Sequence, residues 1–305
     1  MIKSLSTYLV LLLLIFQADI ASGKISKRNP GAFLETHILN DKALQGERVI
    51  YEVRLLSPNP DIAGFEIKES PSFDNLPAGR VSPDTRLNPV VIDDVNYYSV
   101  VIDRYFVGAE NTGKHRFQGG EYNIGFNRAV RIEDPFWGPS IMNKVDVISF
   151  KAPDVSLKVS PLPSKGRPED FSGAIGNFEI NVSLPQNEIR EGEENIFIVS
   201  ISGTGDLTDI PAPDIRQAFR EGLRFKSMTD NKQNYVTKGR LGSEMELECV
   251  FSADKAGDYE ILPISFSYYD SAAGEYRTIT TEKITVRVLP SGSHKNDSPP
   301  VYMEI

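Results

Sequence analysis

One stretch of this chain is written twice, and that limits the fold more than any single motif does. Tyr105-Phe-Val-Gly-Ala-Glu-Asn-Thr-Gly-Lys-His-Arg-Phe117 returns 144 residues later as Cys249-Val-Phe-Ser-Ala-Asp-Lys-Ala-Gly-Asp-Tyr-Glu-Ile261. Ala109 and Ala253, Glu110 and Asp254, and Gly113 and Gly257 keep the frame. A second echo lies upstream at an offset of 146, where Gly46-Glu47 opens the alternation Tyr51, Val53, Leu55 and Gly192-Glu193 opens Phe197, Val199, Ile201. A repeat of this kind means that one structural unit is used twice. Alternation at period two makes the unit β.

The unit is expected to be an immunoglobulin-like antiparallel β-sandwich, present in tandem, in an all-β chain. In the Ala-(Asp/Glu)-x-x-Gly-x-aromatic repeat, glycine lets the chain pass between strands of different sheets. The aromatic position then enters the core and can tie its polar end to backbone, a role open to Tyr259 and His115. Predicted strands of the first unit (33–159) include 49–55, 97–107, 145–150 and 155–159, all rich in β-branched and aromatic residues. Those of the second (172–289) are 178–184, 195–202, 244–251, 257–269 and 283–289. The proline-rich segment 160–171 reads as a semi-rigid linker, because proline lacks the donor that a sheet ladder needs. One short turn is expected over 214–220. The polar tail 290–305 reads as flexible.

At the other end, Lys3, the apolar run Tyr8 to Phe16 and the small residues Ala21-Ser22-Gly23 form a secretory signal pattern over 1–23, followed by a disordered leader over 24–33. The apolar core is too short to span a bilayer, although an uncleaved anchor is the competing reading. The chain is therefore expected to be exported, with Lys24 near the mature start. Net charge of −9 argues against nucleic acid, whose phosphates demand a basic surface. The single cysteine, Cys249, alternates with Met245, Leu247 and Phe251, so it reads as a core thiol rather than a nucleophile.

No catalytic set is recognisable, and the chain is expected not to be an enzyme and to need no cofactor. The three histidines, His37, His115 and His294, lie far apart and have no cysteine companions, so no zinc site is expected. Gly203-Thr-Gly205 is too short for a phosphate loop and reads as a tight turn. Asp206, Asp209 and Asp214 are spaced unlike an EF-hand. Asp also serves turns by bonding local backbone, and that reading is preferred, with calcium left open. Asp134-Pro-Phe-Trp-Gly-Pro139 sets Phe136 beside Trp137, the only tryptophan, on a loop stiffened by prolines. Such aromatics make good binding anchors, although Trp137 is as well suited to plug its own sandwich. Phe136, Trp137, Asp206 and Asp209 are the candidate binding residues.

The segments Leu162-Pro-Ser-Lys-Gly-Arg-Pro-Glu-Asp-Phe-Ser-Gly-Ala-Ile-Gly-Asn-Phe-Glu-Ile180 and Ile201-Ser-Gly-Thr-Gly-Asp-Leu-Thr-Asp-Ile-Pro-Ala-Pro213 resemble the BatD family, bacterial proteins of aerotolerance operons in Bacteroides and related lineages. The resemblance implies an exported, envelope-associated protein of immunoglobulin-like modules, with von Willebrand factor A proteins and a MoxR-type ATPase as operon partners. It supplies no catalytic residues. Family members commonly continue into a transmembrane helix, whereas this sequence stops at Ile305. The expectation is a short exported form, periplasmic or peripherally membrane-associated, that binds envelope proteins. An adhesin or glycan-binding role is the alternative.

Overall fold

The computed structural model describes residues 31–136, 138–185, 189–237 and 239–291, without the side chain of Asp134. The signal segment, most of the leader, Trp137 and the tail beyond Ser291 lie outside these residues.

The first module contains β1 (Phe33–Ile38), β2 (Lys42–Leu44), β3 (Arg48–Ser57), β4 (Ile62–Glu69), β5 (Ala78–Arg80), β6 (Asn88–Ile92), β7 (Val95–Gly108), β8 (Gly113–Phe117), β9 (Glu121–Asp134), β10 (Gly138–Lys151) and β11 (Val155–Ser160). The second contains β12 (Phe171–Ser183), β13 (Ile189–Arg190), β14 (Glu194–Gly205), β15 (Leu223–Thr237), β16 (Arg240–Ala253), β17 (Gly257–Ile261), β18 (Ser265–Asp270), β19 (Glu275–Thr280) and β20 (Ile284–Leu289). A 3-10 turn at Arg216–Ala218 is the only helical element among the described residues.

In the first module β1, β3, β7 and β5 lie side by side, with β6 also on β7; the remaining strands form the sheets β10-β9-β4 and β2-β11-β8. The second module carries β15-β16-β14-β12-β18-β19 over β13-β20-β17. Pairing is antiparallel except at β2–β11, β12–β18 and β13–β20. Each module has its own core. Tyr51, Val53 and Leu55 of β3 pack with Ile102, Phe117, Tyr122 and Leu157 in the first. Phe197, Val199 and Ile201 of β14 pack with Leu247, Phe251, Phe266 and Val286 in the second. The chain is an all-β protein of tandem immunoglobulin-like sandwiches.

The two sequence echoes meet in space. Gly46 N–H donates to Ala109 O at 2.9 Å, and Gly192 N–H donates to Ala253 O at 2.9 Å. Both glycines take positive φ, +96° and +79°, which the tight approach to β3 and β14 requires. After each alanine the chain leaves the larger sheet, β7 to β8 and β16 to β17, and crosses to the smaller one. Tyr259 Oη then donates to Lys255 O at 2.9 Å, and His115 Nε2 meets Asn111 O at 2.8 Å. One corner geometry is thus built with two different side chains.

Three readings of the sequence change, at 257–269, at Gly203-Thr-Gly205 and at β15. The expected strand over 257–269 is two strands in different sheets, because Pro263 cannot donate to a ladder and ends the first. Gly203-Thr-Gly205 is not a turn but the end of β14, paired with Phe178, Asn177 and Gly176. A Cβ at Gly203 would stand 2.1 Å from Asn177 O, so the glycine permits close backbone approach. The segment 160–171 ends in β12 at Phe171 and is held against the second module. Tyr276 Oη donates to Pro163 O, and the Arg167 guanidinium lies 5.6 Å from the Phe171 ring and 5.8 Å from that of Tyr276. The polar strand β15, absent from the expected strands, pairs along nearly all of β16.

Candidate functional site

Asp206 and Asp209 lie on the loop that follows β14, where the second module touches the first. Arg48, opening β3, places Nε 2.9 Å from Asp206 Oδ2 and one terminal nitrogen 2.9 Å from Asp209 Oδ2. Asp206 is also used locally: its Oδ1 accepts from Thr208 N–H at 3.0 Å, Thr208 Oγ1 at 2.7 Å and Asn234 Nδ2 at 2.8 Å. Its side chain is only 13% exposed, whereas that of Asp209 is 81% exposed. Asp214 accepts from Arg216 N–H at the 3-10 turn. The three acids therefore serve an Asx turn, an inter-module ion pair and a turn cap. No group of three or more potential metal-binding side chains occurs among the described residues.

Phe136 caps a different feature. β9 and β10 form a hairpin of fourteen paired positions, from Gly138↔Asp134 at the tip to Lys151↔Glu121 at the base. At the base, Tyr122 and Ile124 are buried in the module core. Beyond Phe126 the core-facing contacts stop, and the hairpin continues outward as an arm. Ile141, Val145 and Val147 share one face of it, Met142 and Ile148 the other, and all five are exposed. Ile141 is 78% exposed and Val147 is 65% exposed. Phe136 at the tip is 91% exposed. Trp137 lies outside the described residues. β9 is the sole strand paired with β10 among those described, so the outer edge of β10 is open.

The buried titratable groups are committed inside their own module. The bulge in β7, where Val53↔Asp103 is followed by Arg54↔Val101, turns Asp103 inward. Its carboxylate accepts from Tyr122 Oη at 2.9 Å and from Arg80 Nε at 2.7 Å. Burial, reinforced by the Asp103 charge, pushes the Tyr122 phenol well up, so it stays protonated and donates. Glu52 sits between Arg104 at 2.7 Å and Arg54 at 2.8 Å. Sequence reasoning missed both acids, because nothing in a local pattern announces a bulge or a cross-strand arginine. Cys249 is fully buried, and burial together with the Glu248 charge pushes its thiol up to about 12.

Architecture and surface together define a class: a tandem immunoglobulin-like β-sandwich protein with a projecting hairpin. Residues 182–288, the greater part of the second module, match the family model described as "BatD DUF11 like domain". The resemblance read at Ile201–Pro213 falls within that match. No curated protein matches the chain. Among solved structures, it is similar at 10% identity to Dpr2 Ig1-Ig2 in complex with DIP-Theta Ig1-Ig3, over 87% of this chain and 100% of that one, with a TM-score of 0.13. The Yersinia pseudotuberculosis adhesin InvE is similar at 10% identity, over 84% of this chain and 58% of its own, with a TM-score of 0.19. The type II cohesin dyad from the adaptor ScaA scaffoldin of Acetivibrio cellulolyticus is similar at 10% identity, over 85% and 97%, with a TM-score of 0.21. The immunoglobulin-like fold follows from the strand order and from the two separate cores.

Proposed function

We propose that this chain is an exported, non-catalytic protein-binding module of a BatD-like aerotolerance system, peripherally associated with the cell envelope. The β9–β10 arm is its contact element. The observation that carries this reading is the open edge of β10 with apolar side chains exposed on both faces. An edge strand offers a row of unpaired N–H and C=O groups, which an extended segment of a partner completes as an added strand. Pockets for its alternate side chains would come from Ile141, Val145 and Val147 on one face and Met142 and Ile148 on the other.

A von Willebrand factor A protein is the partner suggested by the resemblance. Such domains often receive a partner's carboxylate on a metal ion, but Arg48 already holds Asp206 and Asp209. The arm, with Phe136 at its tip, is therefore the stronger contact. An adhesin or glycan-binding reading has one observation in its favour. The Tyr235 ring lies over Gly242 on the outer sheet face, beside Asn177, Ser202, Thr204 and Thr237 around a shallow concavity.

The test is a pull-down from native envelope extract, with and without chelator, using wild type and the double variant Ile141→Lys/Val147→Lys. Wild type should recover a von Willebrand A-type protein, and the variant should lose recovery by about tenfold or more, the loss of roughly 1.4 kcal/mol of binding. Equal recovery by both proteins would reject the arm. Robust glycan-array binding with no protein recovered would replace the scaffold reading with the adhesin one.

A further inference from the structure

We propose that the first module carries a phosphate-binding site on the outer face of the sheet β2-β11-β8, formed by Lys42, Lys158 and Lys114. The three residues stand directly opposite one another across the strands, Lys158↔Lys42 and Lys158↔Lys114. All three are exposed, while their neighbours Ala43, Leu157, Val159 and His115 face the core. Adjacent strands lie about 4.8 Å apart, so the three lysines are rooted within a span of roughly 10 Å. Like charges directly opposite on a sheet repel and destabilise it. No side-chain ion pair or hydrogen bond neutralises any of the three among the described residues. They line an open concavity of about 520 Å³ together with Ser156, a hydroxyl donor, and the acid Asp41.

The second module shows what the same positions look like without this charge. The offset of 144 carries Lys114 to Asp258, and the ladder partner of Lys114, Lys158, corresponds to the ladder partner of Asp258, Arg287; these last two are joined by an ion pair at 3.0 Å. Lys42 corresponds to Glu188, which lies outside the described residues. Nearby, both modules keep a matched pair: Arg116 with Asp154 at 2.8 Å in the first, Lys283 with Glu260 at 2.8 Å in the second. Only one row has lost its acid, on a chain whose net charge is −9. Where the second module sets an acid against a base, the first sets lysine against lysine, and an external anion would neutralise the excess charge. Three cations lining one open concavity call for more than one negative charge on a compact group. A phosphate group meets that need, and lysine serves phosphate as a point charge. Free phosphate and the headgroup of an envelope lipid present the same oxygens to this row. This site is independent of the β9–β10 arm.

The test uses the exported chain with inorganic pyrophosphate in calorimetry, and with vesicles of phosphatidylglycerol or phosphatidylcholine in sedimentation, at low and physiological salt. Lys114→Asp recreates the pairing of the second module, and Lys114→Gln is its neutral companion. Wild type should bind pyrophosphate or phosphatidylglycerol vesicles, and both variants should lose at least about tenfold in affinity. Lys114→Asp should melt no lower than wild type, because the Lys114–Lys158 repulsion becomes attraction. Binding of pyrophosphate without vesicles assigns the site to free phosphate; binding of phosphatidylglycerol vesicles without pyrophosphate assigns it to the headgroup. No binding to either, or undiminished binding by both variants, overturns the proposal. An acidic peptide of equal charge binding as tightly as pyrophosphate would also overturn it, in favour of carboxylate recognition.

Discussion

Cys249 was legible because its neighbours alternate: Met245, Leu247 and Phe251 share its face, and all are buried in one core. The structure adds the cross-strand partners Phe197 and Met228. With its thiol pushed up to about 12, the residue remains protonated at neutral pH and is shielded from reagents. Cys249→Ala should cost on the order of 1 to 2 kcal/mol through the cavity it leaves, measured by denaturant unfolding, with no effect on partner recovery. A polar thiol reagent should label the native protein no faster than it opens; rapid labelling would contradict this. Asp206 stands at the opposite extreme. Its local Asx turn was readable from Asp206 and Thr208, but its partner Arg48 was not. Local patterns say nothing about a residue as remote as Arg48, which also pairs with Asp209 across 161 positions.

The corner that follows each echo was expected from the repeat and from the habit of immunoglobulin-like sandwiches, with Tyr259 and His115 as candidates to tie it. Tyr259→Phe removes one hydrogen bond while keeping the ring, and should destabilise the second module by about 0.5 to 1.5 kcal/mol in chemical denaturation. An unchanged midpoint would mean that the ring, not the hydroxyl, holds the corner. Other elements gave no such signal. β15 is mostly polar and exposed, so it lacks the alternation that marks a half-buried strand, and its existence depends on the ladder to β16. The arm was missed for a related reason. Both of its faces meet solvent beyond Phe126, so no inward and outward pattern is written into residues 127–147. Only the Pro-flanked tip containing Phe136 and the strand expected over 145–150 stood out.

At the level of the whole molecule, Arg48 joins the modules and the segment 160–171 packs on the second one through Tyr276. Module interfaces of modest size ordinarily permit relative motion, so this ion pair should set how far the tandem bends. Arg48→Ala should raise the radius of gyration in small-angle scattering and speed proteolysis within 160–171. Asp209→Ala should do much less, because an exposed carboxylate contributes little. Identical scattering from Arg48→Ala and wild type would show that the contact does not restrain the pair.

What the sequence determined by itself was the repeating unit, its β character, the buried faces of β3, β14 and β16, and the corners. These depend on period and on turn chemistry, which act between near neighbours. What only the tertiary structure decided was pairing between distant strands. It placed Arg48 on Asp206, turned Asp103 inward at a bulge, extended β9 and β10 beyond their core, and set three lysines in one row. Each of these joins residues that are remote along the chain, and their contact exists only once the sheets have registered.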